Sequence, residues 1–139
     1  DDMNVGEVMC SRVIEVSPSD SCATAAALMN AHNVGAVPVV EHGEVRGMLT
    51  DRDIVLRCVA LGMDARKVHA GEVMTGSAAC VSPAHSVEDA AHLMAQKQVR
   101  RLPVVENGRI QGMISVADLA RMRRDAEIAE AITEISKPD

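Results

Sequence analysis

Two hydrophobic rhythms, period two and period 3.6, alternate along the chain, and the whole alternation occurs twice. Short apolar runs at 13–16 and 79–81 predict strands that stop at Ser17-Pro18 and Ser82-Pro83, because proline has no amide to give a sheet. Helical spacing follows. Cys22, Ala25, Ala26, Leu28 and Met29 fall toward one face of a helix predicted over 20–33, and Val87, Ala90, Ala91, Leu93 and Met94 toward one face of a helix over 86–98. The second of these opens Ser86-x-x-Asp89, close to a capping box. Apolar runs at 37–40 and 102–105 then lead through Glu41-His42-Gly43-Glu44 and Glu106-Asn107-Gly108-Arg109 into a further apolar run, which is a hairpin signature. Each third strand ends in the same kind of motif, Gly47-Met48-Leu49-Thr50-Asp51-Arg52-Asp53 and Gly112-Met113-Ile114-Ser115-Val116-Ala117-Asp118. These launch a helix over 51–61, with Gly62 as its C-cap, and another from Val116 onward.

Shifting the sequence by 65 residues lays 5–58 on 70–123 without a gap, and 21 of the 54 pairs are identical. Gly6-Glu7-Val8-Met9 meets Gly71-Glu72-Val73-Met74, and Pro38-Val39-Val40-Glu41 meets Pro103-Val104-Val105-Glu106. Two copies are too few for a solenoid and suit a pseudo-two-fold pair in which each half covers the apolar face of the other. The pattern divides the chain into a first repeat over 3–61, a short polar connection over 62–69, a second repeat over 70–123 and a C-terminal helical extension over 124–139. Ile128, Ile132 and Ile135 form one apolar stripe on that extension, which is expected to dock on its own domain or on a second subunit.

Composition narrows what such a pair can do. With 139 residues, 47% of them hydrophobic, the chain can bury one compact core, yet it holds no Phe, Tyr or Trp and relies on aliphatic residues and nine methionines. Base stacking on aromatic platforms is therefore excluded, and a net charge of −6 argues against a general polyanion-binding surface; no nucleic-acid partner is expected. A small anion would need a local basic pocket. Cys10, Cys22, Cys58 and Cys80 are far apart, none recurs in the repeat, and no zinc spacing is present, so they read as reduced, mostly buried small apolar residues of a cytoplasmic protein without a metal site. No apolar run approaches a membrane span and no signal peptide is visible, so no membrane partner is expected. The chain opens on Asp1 rather than Met, which lessens the weight of a missing targeting signal. Scattered Cys and His offer no nucleophile with a base, so the chain is expected not to be an enzyme.

The repeated motif carries the candidate chemistry. A hydroxyl at the end of a strand can cap the helix that follows or hold a ligand, and the carboxylate three residues on can complement the helix dipole or accept from a vicinal diol such as a ribose. The basic pair Arg100-Arg101 stands where the first repeat has Gly35-Ala36, so the two halves are not chemical equals.

Taken together, Glu7-Val8-Met9-Cys10 and Glu72-Val73-Met74-Thr75, the two Ser-Pro strand ends, the two apolar-Pro-Val-Val strands and the two G-x-x-[ST]-x-x-D motifs resemble the CBS-domain family, named after cystathionine β-synthase. The resemblance covers about residues 3–123. It looks most like the small stand-alone bacterial pairs and implies an α+β fold of two β-α-β-β-α CBS repeats packed as a pseudo-two-fold Bateman module, followed by a C-terminal helix. It implies a regulatory, non-catalytic protein that binds an adenine nucleotide (AMP, ADP or ATP) or another adenosyl ligand such as S-adenosylmethionine or NAD. By position, Thr50 and Asp53 would hold one ribose, and Ser115 and Asp118 the other. Adenine would lie by Val13, Ile14 and Val37 in the first site and by Ala78, Ala79 and Leu102 in the second. Arg100 and Arg101 would reach across to the phosphate of the ligand held by Thr50 and Asp53, with Arg52 adding charge, whereas the site of Ser115 and Asp118 would face Gly35 and Ala36 and be weaker. A homodimer through the helices is also implied, with an unidentified protein partner as a further expectation. The competing reading is a structural or interaction module, or a detached regulatory fragment of a larger enzyme, with vestigial ligand sites.

Overall fold

The computed structural model describes residues 3–76 and 78–137. In chain order the elements are α1 (Val5–Val8), α2 (Cys22–His32), β1 (Ala36–Glu41), β2 (Glu44–Thr50) and α3 (Asp51–Ile54), which continues as a π-helical turn over Val55–Val59. They are followed by α4 (Ala70–Val73), β3 (Thr75–Gly76), α5 (Val87–Lys97), β4 (Arg101–Glu106), β5 (Arg109–Ser115) and α6 (Val116–Ile135).

Two antiparallel hairpins make the framework. In each, the residue before the glycine and the glycine itself both take positive φ: His42 at 54° and Gly43 at 80°, Asn107 at 53° and Gly108 at 78°. Two consecutive left-handed residues form the tight turn whose twist matches that of paired strands. The hairpins meet through Glu44 and Arg109, giving the order β1-β2-β5-β4, with β3 on β2. The buried sides of the strands carry Val37, Val39 and Leu49 in one half and Leu102, Val104 and Ile114 in the other, each at most 1% exposed. α2 packs on the first set with Cys22, Ala25 and Met29, and α5 on the second with Ala90 and Met94.

The strands expected at 13–16 and 79–81 shrink to a single bridging residue each. Val16 pairs in parallel with Val39, and Val81 with Val104. Val16 donates to the Pro38 carbonyl at 3.1 Å and accepts from Val40 at 2.8 Å; beyond it the Ser17 amide donates to Asp20 Oδ2 at 2.8 Å and Pro18 has no amide with which to extend the ladder. The helices over 20–33 and 86–98 form one or two residues shorter at each end than expected, with Ser21 and Ser86 as N-caps and Asn33 and Gln98 as left-handed C-caps. The helix expected over 51–61 is regular only to Ile54. Beyond it the bonding widens, with the Ala60 amide reaching the Val55 carbonyl at 2.7 Å, before Gly62 ends the segment at φ 73°. Cys58, on the wide turn, is fully buried. Burial, with the Cys58 thiol beside it, pushes the Cys22 thiol up to about 11.

The openings of the repeats cross over. Val5 belongs to the second core, held by bonds from its amide to the His85 carbonyl at 2.8 Å and from Gly6 to the Pro83 carbonyl at 3.0 Å. Val68, Ala70 and Val73 belong to the first core, with Ala70 donating to Asp20 at 2.7 Å and Gly71 to Pro18 at 2.9 Å. Close approach of these crossing segments explains the motif glycines: a Cβ on Gly112 would lie 2.6 Å from the Cys10 carbonyl oxygen, and Gly47 faces the Thr75 carbonyl in the same way. Each half is thus completed by the start of the other, and the two cores cannot separate without breaking both.

Candidate functional site

At the end of β2 the chain turns from strand to helix, and Thr50 and Asp53 bond reciprocally across that turn. The Asp53 amide donates to Thr50 Oγ1 at 3.0 Å, and the Thr50 amide donates to Asp53 Oδ2 at 3.0 Å. Ser115 and Asp118 repeat the arrangement at 3.2 and 2.9 Å. Each pair satisfies amides that helix geometry leaves without an intrahelical partner. The second oxygen of each carboxylate faces an arginine one turn on: Asp53 Oδ1 lies 3.7 Å from Arg57 Nη1, and Asp118 Oδ1 accepts from Arg121. The aspartate side chains are 13% and 11% exposed. In this structure both carboxylates therefore serve their own helices.

What lies in front of these turns is a single cleft of about 540 Å³ between the repeats. The first repeat gives it Gly35, Ala36, Thr50, Asp51 and Arg52; the second gives Arg100, Arg101, Ser115, Val116 and Ala117. The starts of α3 and α6 both open on it. Their first amides are already bound, Asp51 to the Gly35 carbonyl and Val116 to the Arg100 carbonyl, each at 2.9 Å, which fixes the lip of each strand against the helix that follows the neighbouring strand. The Asp51 carboxylate accepts from the Arg52 amide at 2.8 Å. Val116 has no such group, so the corresponding amide of Ala117 is left without a side-chain acceptor in the described residues.

Charge is uneven across the cleft. Among the described residues no carboxylate lies within ion-pairing distance of the guanidinium of Arg52, Arg100 or Arg101, whereas Arg46, Arg57, Arg66, Arg121 and Arg123 each have one. Three arginines and one acidic residue, Asp51, thus line the cleft. Met48, Val99 and Val116 add an apolar surface. A cleft of this size, part apolar and part cationic, suits a small anion with an apolar body.

Of the residues expected from sequence, Thr50, Arg52, Arg100, Arg101 and Ser115 come together here. Asp53 and Asp118 stand behind Thr50 and Ser115 and do not line the cleft. Val37 and Leu102, each 1% exposed, are core residues. Ile14 and Ala79 pack half-buried against the two cores; Val13 and Ala78 are half-buried, and none of the four lines the cleft. Met48, Asp51, Gln98, Val99, Val116 and Ala117 line it without having been expected to. The signal for Asp51 and Ala117 was available, since both sit inside the repeated motif at positions where the two copies differ. Among the described residues no group of three metal-ligating side chains forms, and no helix is long and apolar enough to cross a membrane.

Comparison with known proteins agrees with this architecture. The family model described as CBS domain matches twice, at residues 5–59 and 70–135. The CBS domain-containing protein YhcV of Bacillus subtilis is 46% identical over 134 residues, covering 96% of this chain and 95% of its own. The crystal structure of Hypoxic Response Protein I with two coordinated zinc ions superposes with a TM-score of 0.80 at 33% identity, over 86% of this chain and 98% of that one. The crystal structure of CBSX2 in complex with AMP superposes with a TM-score of 0.79 at 27% identity, over 90% of this chain and 98% of that one.

Proposed function

The chain belongs to the CBS-domain family as a tandem pair, and from that premise we propose that it is a non-catalytic regulatory protein of the cytoplasm that senses an adenine nucleotide in the cleft between its repeats. The observation that carries this reading is the set of three arginines, Arg52, Arg100 and Arg101, that line the cleft with no carboxylate within ion-pairing distance among the described residues. The AMP complex of CBSX2 supports the ligand class. The four free cysteines suit a reducing compartment.

In this reading the phosphate sits between Arg100 and Arg101 of one repeat and Arg52 of the other, with the Ala117 amide and the start of α6 adding their positive end. Thr50 and Ser115 lie at the walls, where their hydroxyls meet the ribose. Asp53 and Asp118 hold those hydroxyls in place by capping, and either carboxylate reaches the ribose only by giving up its arginine. The adenine takes the apolar side of the cleft, by Met48, Val99 and Val116. Because both halves hold the ligand, binding favours one relative placement of the repeats, and regulation follows from that differential affinity. The site is shared, so one nucleotide per chain fills it; a second, weaker site at Ser115 and Asp118 is not part of this reading.

A thermal-shift panel of adenosine, AMP, ADP, ATP, S-adenosylmethionine and NAD tests the proposal. A nucleotide at about 100 times its dissociation constant stabilises the fold by roughly 2.7 kcal/mol, and the phosphorylated ligands outperform adenosine. A panel in which no adenosyl ligand shifts the transition refutes the assignment.

A further inference from the structure

The two lips of the cleft differ in charge at repeat-equivalent positions. Where the second repeat has Arg100 and Val116, the first has Gly35 and Asp51, and all four line the same space. Three arginines and one aspartate among the lining residues leave a net +2, and the one acid stands on the first-repeat lip, across from Arg100 and Arg101.

Both oxygens of the Asp51 carboxylate are placed by the backbone around them. Oδ1 accepts from the Arg52 amide at 2.8 Å, and Oδ2 lies over Gly35, 3.1 Å from where a Cβ on that glycine would sit. The bare glycine therefore leaves room for the acid. No cation lies within ion-pairing distance of Asp51 among the described residues. Nor does the turn need an acid here. Val116 takes the same place at the start of α6, its amide makes the same 2.9 Å bond to the carbonyl of the preceding lip, and the cap of Ser115 and Asp118 closes as that of Thr50 and Asp53 does.

Resting on the reading of the cleft as a nucleotide site, we propose that Asp51 is a specificity-determining residue that sets how many phosphates the cleft accepts, favouring a nucleoside monophosphate over the diphosphate and triphosphate. One phosphate, with about two negative charges near neutral pH, balances the net charge of the lining residues. A longer chain that starts at Arg100 and Arg101 extends toward the first-repeat lip, where each added charge meets the carboxylate. The repulsive group thus supplies the discrimination, and the arginines supply the attraction.

NMR titration of the full chain and of Asp51→Asn, in EDTA at low salt, tests this with two ligand series: AMP, ADP and ATP, and inorganic phosphate, pyrophosphate and tripolyphosphate. Asparagine keeps the size of the side chain and an acceptor for the Arg52 amide, and the spectra themselves report that the variant is folded. The unaltered chain is expected to bind AMP at least as tightly as ATP. Asp51→Asn is expected to raise the affinity for ATP relative to AMP, and for tripolyphosphate relative to phosphate, on the order of 10-fold. Asp51 is exposed, so the gain should shrink at ~0.5 M salt, which a merely structural role would not do. Asp51→Glu is expected to keep the discrimination. The proposal is overturned if ATP binds the unaltered chain more tightly than AMP, if Asp51→Asn leaves both ratios unchanged, if the change persists at high salt, or if no anion of either series binds. The inorganic series separates this inference from the nucleotide reading. A shifted inorganic ratio, with nucleotides no tighter than the matching inorganic anions, keeps the role of Asp51 and removes the adenine nucleotide; tight nucleotide binding with unshifted ratios does the reverse.

Discussion

Thr50-Asp51-Arg52-Asp53 and Ser115-Val116-Ala117-Asp118 occupy the same place in the two repeats, yet only their ends behave alike. The outer residues form the same reciprocal cap, with bonds of 3.0 and 3.0 Å in one copy and 3.2 and 2.9 Å in the other. The inner residues face the cleft and have diverged, from an acid and a base to valine and alanine. The same split holds at the strand entrances, where Gly35 and Ala36 face Arg100 and Arg101. What the copies share is what each needs to fold. Among the positions they do not share are those that line the one space between them, so the repeat supplies a scaffold and this asymmetry marks the candidate site.

That division makes testable statements about pairs of equivalent positions. The largest effects belong in the cores and should be matched. Leu49 and Ile114 are equivalent and fully buried. Leu49→Ala and Ile114→Ala are each expected to cost about 2–5 kcal/mol in urea unfolding, and a single transition should persist in both because the crossing openings tie the halves together. Two separated transitions would show that the repeats are independent units. Smaller effects belong to the caps and should also match: Thr50→Ala and Ser115→Ala each remove an N-cap and are expected to lower unfolding free energy by about 1 kcal/mol. A cost confined to one of them would break the claim that the cap is common property.

Much of this scaffold was legible in the sequence. The hairpins announced themselves through His42-Gly43 and Asn107-Gly108, where glycine after a residue tolerant of positive φ leaves few alternatives. The helices α2 and α5 followed from their apolar spacing, and α5 also from its Ser86-x-x-Asp89 start. Less visible was which half a segment joins. Val5 and Ala70 are buried alike, and nothing in local pattern says that each packs on the other repeat; only three-dimensional closure decides it. The first strands survive only as the single bridges of Val16 and Val81; the prolines two residues on stop the ladder at its far end, and apolar character alone did not pair 13–15 or 79–80. The wide turn after Ile54 carries the buried Cys58, and nothing in the apolar spacing of 55–59 marked it.

The candidate site was legible in part. Arg100 and Arg101 stood out because the repeat offered Gly35 and Ala36 as a reference, and the structure places both arginines on the cleft with Thr50 and Arg52. Spacing alone could not tell that Asp53 and Asp118 would be engaged by their own helices and by Arg57 and Arg121, since a carboxylate three residues after a hydroxyl serves a cap and a ribose equally well. Nor could it tell that Val37 and Leu102 would be sealed in the cores, because a strand shows its period but not which face is covered.

Isothermal titration calorimetry of AMP into the unaltered chain and into Arg100→Ala with Arg101→Ala tests the central claim most directly. Removing a charge-assisted hydrogen bond to phosphate is expected to cost on the order of 1.5–3 kcal/mol, so a site of one nucleotide per chain in the unaltered protein should weaken at least about tenfold in the variant. Unchanged AMP affinity in the folded variant, or two equal sites per chain in the unaltered protein, would contradict a single asymmetric cleft built on those arginines.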